Sequence, residues 1–323
     1  MYVMSLNDPI LTRSAVKPVV SVIIPTYNRE PLLRESIASV LNQTFTAWEL
    51  IVADDGSTDD TLTYLAGLHD PRVHVLALER HGNMARMRNV AVAHARGEWL
   101  AFLDSDDLWS PNKLELQLER LFAFPNCDWS CTGFRFIDAD GASIPQRSGD
   151  PYEAHSGWIL ERLIQFTATA TIQSLMVRRT AFDELGGFDE SFLTSADYDL
   201  ELRLAARGHI CALPETLAVI RQHDGRMSDA ESIVTLLRGN ERVFRKAAAA
   251  ASTKRVRALC LRQCAMQLAR MAQLQVRDGA YRLAFTSGLT AIQLAPFSLR
   301  PWRSMAAVVV RAAGQPLRSR ASR

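Results

Sequence analysis

In "GEWLAFLDSDDLWSP" (Gly97–Pro111) an apolar run, Trp99 to Leu103, ends in Asp104, Asp106 and Asp107, with Ser105 between the first two. Carboxylates that close repel one another, and in a low-dielectric site each would hold its proton more tightly, so the cluster calls for a positive partner. Two carboxylates at i and i+2 beyond a buried strand suit a hard divalent cation, and oxygen ligands without cysteine favour Mn2+ or Mg2+. The competing reading is a turn whose aspartates cap the following helix, and the pair alone does not choose between them. Two other polar clusters share the setting. Thr26-Tyr27-Asn28 follows "VVSVIIP" (Val19–Pro25), and a tyrosine face there can stack on a base or be an ordinary aromatic at the core edge. Asp54-Asp55-Gly56-Ser57 follows "WELIVA" (Trp48–Ala53), where a carboxylate can accept from an imide N–H while Gly56 allows a tight turn and Ser57 or Asp59 caps a helix.

The elements that must position these groups alternate. β-branched and aromatic runs at Val19–Pro25, Trp48–Ala53, "RVHVLAL" and "WLAFL" read as buried strands. Between them, "REPLLRESIASVLNQ", "TLTYLAGL" and "NMARMRNVAVAHARG" read as helices, the last closed by Gly97. That alternation predicts an α/β fold with a mostly parallel central sheet, in which ligands sit beyond the carboxyl ends of the strands, where all three polar clusters fall. Ser110-Pro111 reads as the cap and first turn of a helix running to about Phe124. Beyond it, "DWSCTGFRFID", "TIQSLMVRR" and "LAVIRQH" read as strands, while "SGWILERLIQF" and "TSADYDLELRLAARG" read as helices. After Met227 the chain reads as almost wholly helical, with breaks near Gly279 and Pro296.

Composition narrows the class. The 323 residues are 48% hydrophobic and 22% charged, as in ordinary globular proteins. From Glu231 onward there are 17 Lys and Arg against 3 Asp and Glu, and before it 20 against 32, so an acidic front precedes a basic tail. Five scattered cysteines predict reduced, structural thiols and a cytosolic compartment. The opening residues lack the apolar core of a signal peptide, and no run approaches the roughly 18 apolar residues of a membrane span. GxxxxGK and a strand-linked GxGxxG are absent, which disfavours P-loop and dinucleotide readings.

"VSVIIPTYNR", "WELIVADDGSTDDT", "MRNVAVAHARGEWLAFLDSDD" and "SADYDLELRLAARG" together resemble, in order and spacing, the family 2 glycosyltransferases of the GT-A fold, over roughly residues 19–228. The resemblance implies a catalytic domain (19–228), while residues 1–18, which lack periodicity, read as a loose lead-in and 229–323 as a basic, helical C-terminal region. It also implies that Pro25, Tyr27 and Asp54 hold the nucleotide base, and that Arg88 lies near the diphosphate. Asp104 and Asp106, flanking Ser105, would form the DxD pair of the donor site, with Asp106 a direct ligand of Mn2+ or Mg2+ helped by His223. Asp197 falls where the family keeps its catalytic base. The family often has Glu-Asp where this chain has Ala196-Asp197, which removes one acidic neighbour, and its Gly-rich stretch is thinner here, in "RHGNMARMRN" around Gly82 and Asn83.

The implied reaction is transfer of a sugar, with inversion, from a nucleoside diphosphate-sugar, UDP being favoured, to a hydroxyl of a glycan or lipid-linked acceptor in cell-surface polysaccharide synthesis. Asp197, at the positive end of a helix that Ser195 would cap, suits the ionised form a base requires. Two alternatives belong to other classes: a non-catalytic sugar-nucleotide-binding module and an Asp-nucleophile phosphatase, although the latter's usual Thr or Val is replaced by Leu108. Nucleic acid is not an expected partner. In the tail, "PFSLRPWRSMAAVVVRAAG" mixes aromatic and aliphatic residues with arginine. It fits either peripheral contact of 231–323 with an anionic membrane or a helical subdomain burying its apolar face on the core.

Overall fold

The computed structural model describes residues 17–144, 154–223 and 233–313. They divide into two compact units at Asp224/Gly225. The first is built on one sheet. β1 (Val20–Thr26), β2 (Trp48–Asp54), β3 (Val73–Ala77) and β4 (Trp99–Phe102) pair in the order β3-β2-β1-β4, all parallel. The crossovers carry α1 (Glu30–Leu41), α2 (Thr61–Ala66) and α3 (Met84–His94). Every residue of β1, β2 and β4 is buried, as expected of parallel strands covered on both faces.

Beyond β4 the sheet continues through β8 (Met176–Arg178), β6 (Cys127–Ile137), β9 (His209–Arg221) and β5 (Leu108–Trp109). β6 and β9 run parallel, the other pairings there are antiparallel, and β7 (Ser143–Ile144) folds back on β6. α4 (Lys113–Ala123), α5 (Leu160–Ile164), α6 (Arg179–Glu184) and α7 (Ala196–Arg207) complete this unit. The α/β architecture with a helical C-terminal part is as the sequence predicts.

Several local expectations need correction. α3 stops at His94 rather than at Gly97. Gly97 instead lies where β1 passes so closely that a Cβ would sit 2.6 Å from the Ser21 nitrogen. α4 begins at Lys113 with Asn112 at its cap position, not at Ser110-Pro111. "TIQSLMVRR" splits into a 3-10 turn (Ile172–Ser174) and the short β8, because the turn is closed by a reciprocal Thr171–Ser174 capping box. The cysteines are not all reduced: Cys127 and Cys211, 84 positions apart in sequence, form a disulfide between the neighbouring strands β6 and β9, with Cα atoms 6.0 Å apart. Spacing along the chain could not reveal a partner brought in by strand pairing, and the cysteine argument for a cytosolic compartment falls with it.

The second unit is α8 (Ile233–Ala250), α9 (Lys254–Arg277), α10 (Tyr281–Leu294) and α11 (Leu299–Ala313). The predicted breaks near Gly279 and Pro296 fall between α9 and α10 and between α10 and α11. Leu237, Ala265, Leu268, Ala269, Met271 and Ala291 form one buried cluster, and Ala272, Val276, Ala284 and Val308 a second, so the helices have their own core. No helix among the described residues is long and apolar enough to cross a membrane.

Candidate active site at the strand ends

The three acidic residues lie just past β4, and ligand atoms of Asp104, Asp106 and Asp107 all come within 4.8 Å of one another. Much of their charge is met by arginine. Arg88, on α3, donates to Asp104 Oδ1. Arg29, just before α1, donates to Asp106 Oδ2. Arg221, the last residue of β9, donates its backbone N–H to Asp107 Oδ1 at 2.8 Å and its Nε to the Asp106 carbonyl at 3.3 Å, and it also pairs with Glu35.

Gln173, in the 3-10 turn, donates its amide both to Asp104 Oδ2, at 2.8 Å, and to Asp107 Oδ2. The Gln173 carbonyl in turn accepts from the Trp109 indole at 2.8 Å. Asp107 is therefore fully buried with both carboxylate oxygens engaged, a structural member of the cluster. Asp106 differs. His223 Nε2 lies 3.1 Å from the same Oδ2 that meets Arg29, so the two side chains converge; the carboxylate oxygens suit Mn2+ or Mg2+, and the imidazole nitrogen favours Mn2+ of the two. Ser105 is buried between the two carboxylates.

The second cluster sits at the ends of β1 and β2. Pro25 pairs with Ala53 and Thr26 with Asp54 in register. The Asp54 carboxylate takes the Ser57 N–H on Oδ1 at 2.9 Å, while its Oδ2 is buried and takes no hydrogen bond, as is Thr26 Oγ1. Burial pushes the Asp54 carboxyl above its ordinary range, despite the lowering effect of the Ser57 bonds. Tyr27 is half-buried, with the Arg80 guanidinium 3.6 Å from its ring centroid. Arg80 also pairs with Asp55, whose carboxylate accepts from the backbone N–H groups of His81 (2.7 Å) and Gly82 (2.8 Å). This ties the turn before α3 to the end of β2. Gly56, at φ 73°, passes beneath it, where a Cβ would be 2.8 Å from the Arg80 nitrogen. Asn83 caps α3 by accepting from the Arg86 N–H at 3.2 Å and donates to the Glu190 carbonyl at 2.7 Å.

Asp197 makes none of the cluster's contacts. It is half-buried in the first turn of α7, where it accepts its neighbour Tyr198's N–H at 2.9 Å. Ser195 does stand at the cap position, but with left-handed backbone (φ 64°) and no side-chain capping bond. The acidic neighbour missing at Ala196 is replaced one helical turn later by Glu201, which is buried on the same helix and whose carboxyl is pushed well up, first by burial and then by the charge of Asp197. Beside Asp197 the Tyr198 ring stacks on Phe166 at 5.6 Å, and Phe166 is half exposed with left-handed backbone (φ 56°).

Arg29, Gln173, Arg221 and Arg80 were not anticipated. Arg221 had a faint signal, lying two residues before His223 in a strand-like alternation that puts both on one face. Gln173 had none, since nothing local marks a residue whose partners are 69 and 66 positions away.

Comparison with known proteins bears on this arrangement. The family model for glycosyl transferase family 2 matches residues 21–186. The chain is 42% identical over 130 residues (40% of the chain, 51% of the relative) to the putative teichuronic acid biosynthesis glycosyltransferase TuaG of Bacillus subtilis (strain 168). It is 45% identical over 103 residues (32% of the chain, 41% of the relative) to the UDP-Glc:alpha-D-GlcNAc-diphosphoundecaprenol beta-1,3-glucosyltransferase WfgD of Escherichia coli. The matches thus span about half of one relative and less of the other. The fold is similar to that of S. aureus TarS residues 1–349 in complex with UDP, at TM-score 0.66 and 20% identity over 93% of both chains. With a sheet of GT-A type and a family model covering β1 through α6, the chain belongs to glycosyl transferase family 2.

Proposed function

We propose that this chain is an inverting, metal-dependent glycosyltransferase of cell-surface polysaccharide synthesis, moving a sugar from a UDP-sugar to an acceptor hydroxyl. The observation that carries the reading is the convergence of Asp106 and His223 beside the Arg88–Asp104 pair at the carboxyl end of β4, in the same parallel sheet whose β2 ends at the unpartnered Asp54 oxygen. The relatives' names support the donor and the pathway class: one uses UDP-Glc, and the structural neighbour binds UDP.

Asp106 and His223 would hold Mn2+ or Mg2+, with Asp104 oriented by Arg88 and Gln173. A divalent ion there supplies charge neutralisation to a leaving diphosphate. Asp54 Oδ2, buried without a partner, accepts the imide N–H of the base, and Tyr27, backed by Arg80, offers the base a stacking face beside Pro25. Asp197 takes the proton of the acceptor hydroxyl as the new bond forms, and a single displacement by that hydroxyl inverts the sugar carbon. The acceptor, a glycan or lipid-linked glycan, lies on the Phe166–Tyr198 side of Asp197.

The test is a panel of nucleotide-sugars screened with Mn2+ for thermal stabilisation and for sugar release or transfer, with Asp106→Asn in parallel. UDP-sugars are expected to stabilise the protein and turn over only in the parent. Stabilisation without any transfer or hydrolysis across the panel would favour the binding-module alternative. Mn2+-dependent turnover that survives Asp106→Asn would remove Asp106 from the site.

A further inference from the structure

Once α11 is seen in place, its sequence sorts onto three faces. Pro301, Ser304 and Val308 point inward: Ser304 Oγ donates to the Ala269 carbonyl at 2.7 Å, and Val308 sits in the cluster with Ala272, Val276 and Ala284. These contacts supply the helix with its packing. Leu299, Trp302, Ala306, Val309 and Val310 recur at three- and four-residue intervals on a second face, and all are exposed, Trp302 at 52% and Val310 at 70%. Arg300, Arg303 and Arg311 occupy the third, also exposed. The turn leading into the helix continues the apolar face. Phe297 is 99% exposed, and the Trp302 indole donates to the Pro296 carbonyl at 2.8 Å, fixing the tryptophan against that turn.

Isolated exposed leucines need no explanation, but an outward apolar stripe about 17 Å long on a helix that already has an inward one does. The charge says what covers it. From Gly279 to Arg323 the sequence holds seven arginines and not one Asp, Glu or Lys. The two acidic side chains described in this unit are paired, Glu241 with Arg245 and Asp278 with Arg277. A surface of one sign flanking aromatic and branched side chains is complementary to an anionic lipid surface, where rings and aliphatics enter the headgroup boundary and guanidinium groups meet phosphates.

We propose that the Phe297–Arg311 segment docks this protein peripherally on anionic lipid bilayers, with Phe297, Trp302 and Val310 inserted and Arg300, Arg303 and Arg311 on the headgroups. The inference does not depend on the catalytic reading, because lipid binding is measured without donor or acceptor.

The test is flotation of the full chain with vesicles of phosphatidylcholine alone or with about one third phosphatidylglycerol, at low and high salt. Binding is expected only to the anionic vesicles and to weaken as salt rises. At about fivefold per basic residue, removing the three guanidinium charges by Arg300→Gln, Arg303→Gln and Arg311→Gln should lower the partition coefficient by on the order of 10²-fold. Phe297→Ala with Trp302→Ala, both exposed, should weaken it while circular dichroism stays unchanged. Three results would overturn the proposal: equal binding to neutral and anionic vesicles, anionic binding that neither variant changes, or no lipid binding together with a dimer lost in Trp302→Ala, which would assign the face to a second copy.

Discussion

Asp54 states a requirement in a single atom: Oδ2 is buried, unpartnered and in a place that raises the carboxyl's affinity for a proton. An N–H donor from a bound base would relieve it. Asp54→Asn should therefore weaken UDP binding by roughly 10- to 100-fold, the range for one hydrogen bond to a charged group, measured by calorimetry with folding unchanged. Two other buried groups predict opposite pH responses. Lys113, fully buried beside Gln117 (2.6 Å) and the Trp109 ring (4.1 Å), is pushed down to about 7 by burial. The folded protein then lacks a proton that the unfolded chain keeps up to the ordinary value of 10.5, so stability rises with pH between about 7 and 10.5. Glu201 is the reverse. Folded, it keeps its proton above the ordinary value of 4.5, so its contribution falls as pH rises past that point. Lys113→Met should flatten the parent's rise, about 1.4 kcal/mol per pH unit at most, and Glu201→Gln should remove the fall. Chemical denaturation from pH 5 to 9.5 reads both. None of this was legible beforehand, because Lys113 and Glu201 look like solvated helix residues until the packing is known.

At the scale of elements, the hydrophobic pattern was a good guide and the punctuation a poor one. The four parallel strands and α1 to α3 fall where periodicity and β-branched runs predict, since burial on both faces demands those residue types. Gly97 illustrates the failure. In sequence it looks like the close of a helix, yet the close pass of β1 requires it. Gly97→Ala should cost on the order of 1–3 kcal/mol, seen as a fall in Tm, whereas a glycine that merely followed a helix would tolerate alanine. Asp197 depends on α7, whose entry runs through left-handed Ser195. Asp197→Asn should cut the transfer rate by about 10² or more with donor affinity barely changed. Collapse of donor binding along with the rate would mark Asp197 as a structural helix-start acid. The carboxylate cluster was legible because its members fall within four residues of sequence, while Arg29, Gln173 and Arg221 were not, because only the fold brings them there.

Across the whole molecule, the charge changes sign near Glu231, and the chain divides into two compact units at Asp224/Gly225. Each unit has its own buried clusters, so ligand linkage should be selective. UDP with Mn2+ should raise only the transition of the first unit in calorimetry, by about 2.7 kcal/mol at a hundredfold excess over Kd, and Asp106→Asn should abolish the shift. A uniform shift of both transitions would contradict this independence. Gln173 has one more consequence. Its single amide spans Asp104 and Asp107, and its carbonyl is tied to Trp109, so the spacing of the two carboxylates is gauged by a residue near the far end of the 38 that separate β6 from β8. Whatever length or composition that intervening stretch takes, the gauge closes after it. The stretch leading to Phe166 can therefore change while the carboxylates keep their distance.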